Sequence, residues 1–196
     1  MTLRVNNINY IKLIRFFDIS LSIIGIILLI PIFLILLIIG FWDTGSPIFK
    51  QERVGRNKKP FNLLKFRSMY VETQSVATHL VNVSSITKWG SFLRRSKLDE
   101  LPQLFNVLNG DMSFVGPRPN LFNQEQLLKE RDIRGIYEFR PGITGLAQIK
   151  QIDMSTPQLL AEVDSKMFQN YSIIEYFKYI SLTIYGNGFG DRVKKK

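Results

Sequence analysis

The sequence predicts a mostly helical α+β protein, with a membrane anchor over residues 1–45 and a small cytosolic domain over residues 46–196. Three observations support this prediction. The stretch between Asp18 and Asp43 carries no charged residue, a hairpin-like segment follows it, and most of the remaining chain shows helical patterns. A chain of 196 residues, of which 45% are hydrophobic and 21% charged, is long enough for one globular domain with a short appendage.

The uncharged stretch is apolar and long enough to enter a membrane. As a helix it measures about 36 Å, against about 30 Å of hydrocarbon in a typical bilayer. A cleaved signal peptide fits poorly, because the apolar run is too long and no small-residue cleavage site follows it. Pro31 lies in the middle of the run. Since proline removes a backbone hydrogen bond and clashes with the preceding turn, we expect it to kink the membrane helix.

Positive charges flank the membrane segment on both sides. Lysine and arginine mark the cytoplasmic side of such a segment. They occur before it, at positions 4, 12 and 15, and again shortly after it, at positions 50, 53, 56, 58, 59, 65 and 67. A helix bent at Pro31 returns both ends to the cytoplasmic face, so the sequence favours a re-entrant helix-break-helix. The alternative is a single spanning anchor whose heavier C-terminal charge keeps the domain in the cytoplasm.

The domain begins with a predicted β-hairpin. Two strand-like runs flank the turn residues around Gly55. Residues 70–87 are polar and poorly periodic, which is typical of a loop. Residues 91–108 then follow a helical pattern that is interrupted at Pro102.

The C-terminal half alternates predicted turns with predicted helices. The segments 110–120 and 140–145 are rich in turn residues, whereas 121–139 and 157–170 follow helical patterns. The segment 171–186 carries four tyrosines and few charges. It is either an interfacial amphipathic helix at the membrane surface or a helix that closes the core, because aromatic rings favour both positions.

The chain is strongly basic, with 26 Lys and Arg against 16 Asp and Glu and a formal net charge of +10. A basic surface favours phosphates, whether in nucleic acid, in anionic lipid or in a phosphorylated substrate. Cysteine is absent and His79 is the single histidine, so thiolate and multi-histidine metal sites are excluded. The basic residues cluster near the membrane segment and no recognised nucleic-acid-binding motif occurs, which disfavours nucleic acid as a partner.

The first candidate site is the carboxylate pair Asp99 and Glu100, which is flanked by cations ahead of Pro102. A carboxylate held ionised by a helix N-terminus and by nearby cations suits a nucleophile or a metal ligand. Arg94, in the same segment, can grip a phosphate through a bidentate fork. The alternative is a purely structural helix cap of the S-x-x-D type, formed by Ser96 and Asp99.

Two further segments present an arginine beside a rigid turn. Arg118 lies between Pro117 and Pro119, whose rings stiffen the backbone on both sides. Arg140 begins the string RPGITG, in which backbone amides accompany the cation. Both arginines suit anion recognition, and a solvated arginine in an ordinary turn is the alternative for each.

Five strings, in this order behind an apolar N-terminal segment, resemble the bacterial sugar transferase family, the small monotopic phosphoglycosyl transferases. The strings are FKQERVG (49–55), KFRSM (65–69), LDELPQLFNV (98–107), SFVGPRP (113–119) and RPGITGLAQ (140–148). The resemblance extends over nearly the whole chain, from about residue 15 to about residue 182.

This resemblance implies transfer of a sugar 1-phosphate from a UDP-sugar to undecaprenyl phosphate, at the cytoplasmic face of the bacterial inner membrane. The donor, the lipid acceptor and the bilayer are the implied partners, and the oligomeric state stays open. Asp99 matches the family's nucleophile, which attacks the β-phosphate, expels UMP and forms a covalent sugar-phosphate intermediate. Glu100 matches the second carboxylate of the pair. Mg²⁺ is the implied cofactor, with both carboxylates as candidate ligands.

The resemblance also implies roles for five basic residues. Arg94 matches a basic residue placed to bind the transferred phosphate or the lipid phosphate, and Arg118 resembles the arginine associated with the nucleotide. Lys65, Arg67 and Arg140 lie in the matching strings and complete the predicted phosphate and nucleotide contacts.

The chain also departs from the family's usual pattern. Pro31 matches the helix-breaking proline, but Ile30 replaces the serine that often precedes it. Leu146 stands where tryptophan is common, and the Asn-Gly-Arg that often follows is missing at 149–152. Because these differences fall where sugar specificity could be set, the sequence names neither the sugar nor the glycan pathway.

Two other functions remain as alternatives at this point. In a one-step transferase, Asp99 and Glu100 only hold magnesium while both substrates are bound together. In a basic membrane-anchored scaffold protein there is no chemistry at all. The scaffold explains the charge and the anchor, but not the carboxylate pair beside Arg94 and the two rigid arginine turns.

Overall fold

The computed structural model describes residues 8–73, 83–169 and 171–185. Within these residues the chain forms seven α-helices and four short strands. The helices are α1 (Ile8–Thr44), α2 (Lys88–Ser96), α3 (Gln103–Asn109), α4 (Glu125–Ile133), α5 (Leu146–Ile149), α6 (Pro157–Gln169) and α7 (Ile173–Ile184), and the strands are β1 (Ile48–Val54), β2 (Pro60–Phe66), β3 (Ser113–Val115) and β4 (Gly142–Thr144). This is the mostly helical α+β fold that the sequence predicts. His79 and half of the predicted loop, residues 74–82, lie outside the described residues.

Helix α1 contains the whole apolar segment and continues through Pro31. The predicted break into two helices is therefore wrong at the level of secondary structure. A proline inside a helix costs one backbone hydrogen bond, and a long apolar helix can absorb that loss without ending. The helix is long and apolar enough to cross a membrane. Only 11% of its most apolar 18-residue stretch is buried against the rest of the chain.

One face of α1 packs against the domain along nearly its full length. The buried positions recur mostly at intervals of three or four residues, as expected for one side of a helix; they are Ile14, Asp18, Ser22, Phe33, Leu36 and Gly40. The opposite side is apolar and exposed, with Phe16, Leu28 and Trp42 showing 62%, 71% and 82% of their surface. The anchor predicted as a separate unit over residues 1–45 is thus packed onto the domain that follows it.

The predicted β-hairpin is confirmed. Strands β1 and β2 pair in antiparallel register from Ile48 opposite Phe66 to Val54 opposite Pro60. A 3₁₀ turn over Arg56–Lys58 connects them. Side chains alternate along β1, so that Arg53 points into the protein and is 7% exposed while its neighbour Glu52 is exposed.

The helix predicted over 91–108 forms as two helices, and the chain turns earlier than the sequence indicates. Helix α2 ends at Ser96, because Lys97 has a left-handed backbone with φ 60°, and a 3₁₀ turn over Leu98–Glu100 precedes α3. Pro102 is the residue before α3 and not the point of interruption. The carboxylate pair therefore lies in a tight turn between two helices.

Strands β3 and β4 are a correction to the sequence analysis, which predicts only turns in these segments. Ser113 pairs with Gly142 and Val115 with Thr144, in parallel. The two backbones approach closely: a Cβ on Gly142 would lie 2.0 Å from the amide nitrogen of Gly116, so a side chain is excluded there. Three-residue strands are too short to show an alternating pattern in a sequence.

The C-terminal helices complete the core. Helix α4 is shorter than the predicted helix over 121–139, because Gly135 adopts φ 67° and a 3₁₀ turn follows it. Helix α6 matches its predicted bounds to within one residue. Helix α7 buries Tyr176 and Tyr179 against α1 and β3 while Ile174 and Ile184 are 75% and 77% exposed, so it closes the core on one side. Whether its exposed side meets the membrane stays a prediction.

Candidate active site

The turn between α2 and α3 buries an acidic side chain. Asp99 is only 2% exposed, and Glu100 next to it is half-buried. The helix cap formed by Ser96 and Asp99, which the sequence left open as an alternative, does not form. The hydroxyl of Ser96 donates to the carbonyls of Phe92 and Leu93, at 2.9 and 3.1 Å, within its own helix. Capping therefore does not explain why Asp99 is buried, and its burial favours a chemical role.

Three cations from separate elements surround the two carboxylates. Lys65, from β2, is 8% exposed, and its Nζ lies 3.3 Å from Oε1 of Glu100. Arg94, in the last turn of α2, donates through Nε to the hydroxyl of Ser68 at 2.8 Å, and its charge acts on both carboxylates. Arg118, in the loop after β3, acts on the same two groups. Tertiary packing thus assembles three of the predicted phosphate-binding residues around the carboxylate pair.

Burial and charge set the two carboxylates apart. Burial raises the pKa of Asp99 from 3.8 to about 6, against the lowering effect of Lys65 and with a further upward push from Glu100. The pKa of Glu100 is lowered: burial acts to raise it, but Lys65 and Arg118 together outweigh burial. Both carboxylates are therefore mostly ionised at neutral pH, but Asp99 is the poorly solvated one and takes up a proton near pH 6, before Glu100 does. Such a group is more basic and more nucleophilic than an ordinary aspartate.

A cleft of about 290 Å³ opens beside this turn, and we call it the catalytic cleft. Its polar lining residues are Arg53, Lys65, Glu100, Gln103 and Arg118. Three cations against one carboxylate leave a net positive charge in the cleft, which suits a diphosphate. Arg53 was not predicted as a site residue. Its Nε is buried and has no hydrogen-bond partner among the described residues, so a bound anion can satisfy it.

The loop that carries Arg118 is held at four consecutive carbonyls. The carbonyl of Pro117 accepts from the amide of Gly142, that of Arg118 from Nη1 of Arg131, that of Pro119 from Nη1 of Arg53, and that of Asn120 from the amide of Val54, at 2.8 to 3.2 Å. This anchoring fixes the backbone of the loop before any ligand binds. The proline on each side adds stiffness, so Arg118 is presented at low entropic cost.

A buried ion pair lies behind this loop. Nε and Nη2 of Arg131 both donate to Oδ2 of Asp164, at 3.0 and 2.7 Å, and both side chains are 1% exposed. Nη1 of the same arginine reaches the Arg118 carbonyl and, at 3.0 Å, Oδ1 of Asn120. Arg131 thus links α6 to the arginine loop of the catalytic cleft. Sequence reasoning missed this pair, because α4 and α6 look like ordinary surface helices until they are packed.

Two of the predicted phosphate-binding residues lie elsewhere. Arg67 donates through Nε to the carbonyl of Ser46 at 2.8 Å and lies over the ring of Phe49, so it ties the end of the hairpin to the end of α1. Arg140 donates through Nε to the carbonyl of Gly110 at 2.8 Å and lines a different cleft. Their roles as phosphate ligands of the catalytic cleft stay predictions that the placement does not support.

The carboxylate pair is also the candidate metal site. Among the residues that the structure describes, no group of three or more acidic, histidine or cysteine side chains is arranged to hold a metal. Magnesium, however, is usually held by one or two protein carboxylates, with waters and substrate phosphates completing its shell. Glu100, which is ionised and borders the catalytic cleft, and Asp99 next to it fit that donor set.

Comparison with known proteins identifies the family of this chain. The family model described as "Bacterial sugar transferase" matches residues 9–187, which include α1, the hairpin and every residue of the catalytic cleft. The chain belongs to the bacterial sugar transferase family. This membership excludes the scaffold protein without chemistry as the better explanation of the buried carboxylate pair.

Individual relatives of this sugar transferase carry more specific names. An uncharacterized sugar transferase of Bacillus subtilis, EpsL, is 39% identical over 87% of this chain and 84% of its own length. The galactosyl transferase CpsE of Streptococcus agalactiae is 37% identical over 87% of this chain. The UDP-glucose:undecaprenyl-phosphate glucose-1-phosphate transferase of Escherichia coli is 38% identical over 86% of this chain. This chain spans only 41% and 38% of the length of the last two relatives.

Proposed function

We propose that this sugar transferase moves a sugar 1-phosphate from a UDP-sugar to undecaprenyl phosphate through a covalent intermediate on Asp99. The observation that carries the proposal is the buried carboxylate of Asp99, surrounded by Lys65, Arg94 and Arg118 beside a cleft of net positive charge. Relatives in Escherichia coli, Klebsiella pneumoniae and Xanthomonas campestris, each named a UDP-glucose:undecaprenyl-phosphate glucose-1-phosphate transferase, support the substrate classes.

In the first half of the reaction, an oxygen of the Asp99 carboxylate attacks the β-phosphorus of the donor. The bond between that phosphorus and the bridging oxygen breaks, and UMP leaves with the electron pair. The product is a sugar-phosphate ester of the aspartate, a mixed anhydride. Lys65 and Arg118 offset the negative charge that gathers at the two phosphates, and the low exposure of Asp99 strengthens these interactions.

In the second half, a phosphate oxygen of the lipid acceptor attacks the same phosphorus. The bond to the Asp99 oxygen breaks, the carboxylate is regenerated, and the undecaprenyl diphosphate sugar forms. Arg94 is the residue proposed to hold the transferred or incoming phosphate, because its Nε is fixed by Ser68 and its positive charge acts on both Asp99 and Glu100. When bound by Glu100 and Asp99, Mg²⁺ would neutralise the diphosphate charge.

Intact-protein mass spectrometry tests this route directly. The detergent-purified protein is incubated with Mg²⁺ and each of a panel of UDP-sugars, with the lipid acceptor omitted. We expect a mass increase of one sugar phosphate with one donor, which would identify that donor. Turnover with the lipid present but no adduct with any donor would contradict the covalent route. It would favour the one-step alternative, in which both carboxylates serve only as metal ligands.

The rate of adduct formation is expected to depend on pH through Asp99. Only the ionised carboxylate is a nucleophile, and its pKa in the free protein is about 6, so at limiting Mg²⁺ and donor the rate should rise as the pH increases through about 6 and level off above about 7. The half-reaction is the right measurement, since the lipid phosphate itself titrates near pH 6 and would distort a full-turnover profile. A rate independent of pH between 5 and 7 would contradict this assignment.

We also propose that α1 is re-entrant, with the domain at the cytoplasmic face of the bacterial inner membrane. Both charged residues that border the apolar segment are bound by the same domain. Oδ1 of Asp18 accepts from Ser113 and Tyr176, and Oδ2 of Asp43 accepts from the hydroxyl of Thr87 at 2.7 Å. A domain on one side of a membrane can hold both ends only if both ends lie on that side.

Single cysteines test this topology, since the chain has none of its own. Cysteines at positions 2 and 46 are probed with a membrane-impermeant maleimide in intact cells and in inverted membrane vesicles. We expect both positions to be protected in cells and labelled in inverted vesicles. Labelling of the two positions from opposite sides would show a spanning anchor instead.

A further inference from the structure

A second cleft, of about 510 Å³, lies at the N-terminal end of α1. It is lined by the first three turns of α1, by β3, by Arg56 in the β1–β2 turn, by the residues just before β4 and by the end of α6. Among the described residues it shares no lining residue with the catalytic cleft. We call it the arginine cleft, after its lining residues Arg15, Arg56 and Arg140.

Each of the three arginines is fixed in place by a backbone carbonyl. Nη1 and Nη2 of Arg15 donate to the carbonyls of Val107 and Leu108 at the end of α3, at 2.6 and 2.8 Å. Nε of Arg140 donates to the carbonyl of Gly110 at 2.8 Å. Nε of Arg56 donates to the carbonyl of Glu138, also at 2.8 Å. These bonds orient the guanidinium groups, but the acceptors are neutral, so the bonds themselves do not neutralise the three positive charges.

The charges in the arginine cleft do not balance. Two carboxylates, Asp18 and Glu138, line the cleft with the three arginines. The Asp18 carboxylate is already engaged by Ser113, Tyr176 and the amide of Phe114. Burial lowers the pKa of Arg140, and the charges of Arg15 and Arg56 lower it further, whereas Asp18 acts to raise it and does not outweigh them. A bound anion would relieve this repulsion.

The rest of the cleft is apolar and aromatic. Its wall includes Ile11, Ile14, Phe139, Phe168 and Tyr171. The hydroxyl of Tyr10, which also lines the cleft, is buried and has no hydrogen-bond partner among the described residues. Such an orphaned hydroxyl is a donor that a ligand can use.

The position of the cleft points to a lipid. It adjoins the exposed apolar side of α1, where Leu13 and Phe16 are 43% and 62% exposed. Helix α7, whose Phe177 contacts Phe17 of α1, presents Ile174, which is 75% exposed. The cleft therefore lies where an apolar surface suited to hydrocarbon begins beside a cluster of cations, the layer at which phospholipid phosphates are found.

We propose that the arginine cleft binds the phosphate group of an anionic membrane phospholipid. The three arginines and the Tyr10 hydroxyl hold the phosphodiester, and the apolar wall covers the first part of the acyl chains. The shared chemistry is an anionic phosphate, which a soluble phosphate can also offer, and the apolar wall beside the arginines favours the lipid. This site is separate from the one that performs the proposed transfer.

Native mass spectrometry of the full-length, delipidated protein tests the proposal without any catalysis. Phosphatidylglycerol is titrated into the detergent solution, and retained one-lipid adducts are counted. We expect Arg56→Gln and Arg140→Gln to weaken the adduct by about tenfold each, the loss expected for one charge-assisted hydrogen bond. Lys12→Gln is the matched control. Lys12 is exposed on the turn of α1 that carries the lining residue Ile11, but it does not line the cleft itself.

Each outcome decides the proposal. Arg56 is exposed, so Arg56→Gln keeps the fold even if Arg140→Gln does not, and melting temperatures verify this. Equal weakening by Lys12→Gln, or no weakening by either arginine variant, would show nonspecific attraction and overturn the site. Inorganic phosphate at millimolar concentration should not displace the lipid. Binding of inorganic phosphate without binding of phosphatidylglycerol would show that the ligand is a soluble phosphate and overturn the lipid assignment.

Discussion

Asp99→Asn is expected to abolish transfer and, at the same time, to stabilise the folded protein above pH 6. Asparagine cannot form the anhydride, so neither the sugar-phosphate adduct nor turnover should be detected. The gain in stability follows from burial. The pKa of Asp99 is raised from 3.8 to about 6, so ionising it in the folded state costs roughly 3 kcal/mol relative to the unfolded chain. Asparagine removes that cost.

The direction of the pKa shift of Asp99 defines the pH range in which Asp99→Asn is more stable than the wild type. An acid whose pKa is raised by folding destabilises the fold at pH values above its folded pKa, and the penalty disappears below its unfolded pKa. The melting temperature of Asp99→Asn in detergent should therefore exceed that of the wild type at pH 8, and the two should converge toward pH 4. Asp132→Asn is the control, since Asp132 forms an exposed ion pair with Lys58. Retained turnover in Asp99→Asn would refute the nucleophile.

Asp164→Ala should be among the most destabilising single substitutions in this protein. It leaves Arg131 buried without a counter-ion, and breaking one side of a buried ion pair costs about 3–5 kcal/mol. Loss of the pair also frees the arginine that holds the carbonyl of Arg118. We expect a large fall in the free energy of unfolding, measured by thermal or denaturant unfolding in detergent.

Asp164→Asn separates the positioning effect from the loss of fold. It removes the counter-charge of Arg131 but keeps the shape of the side chain and one acceptor oxygen, so it should be less destabilised than Asp164→Ala, which its melting temperature checks. We expect its KM for the UDP-sugar to rise by about tenfold, with a smaller change in kcat, since Arg118 loses part of its support rather than its charge. Glu162→Gln, on the same helix α6, removes only an exposed ion pair with Lys166 and should change neither quantity. An unchanged KM in a folded Asp164→Asn would reduce the pair to a purely structural role.

The sequence by itself determined the elements whose signals are local. The uncharged apolar run predicted α1, and the turn residues around Gly55 between two strand-like runs predicted the hairpin. The strings around Asp99 and Arg118 indicated the site, because adjacent carboxylates and an arginine between two prolines can each be recognised within one short segment. In these cases the residues that specify the feature lie within a few positions of one another.

Only the tertiary structure decided which charged residues meet. Lys65 and Arg118 face the carboxylate turn while Arg140, which looks equivalent in the sequence, lines a different cleft. The pair Arg131–Asp164 is likewise invisible until α4 packs on α6. The contacts Lys65–Glu100 and Arg131–Asp164 join residues 35 and 33 positions apart. Their formation depends on how whole elements pack, and a contact of that range leaves no periodic or local trace in a single sequence.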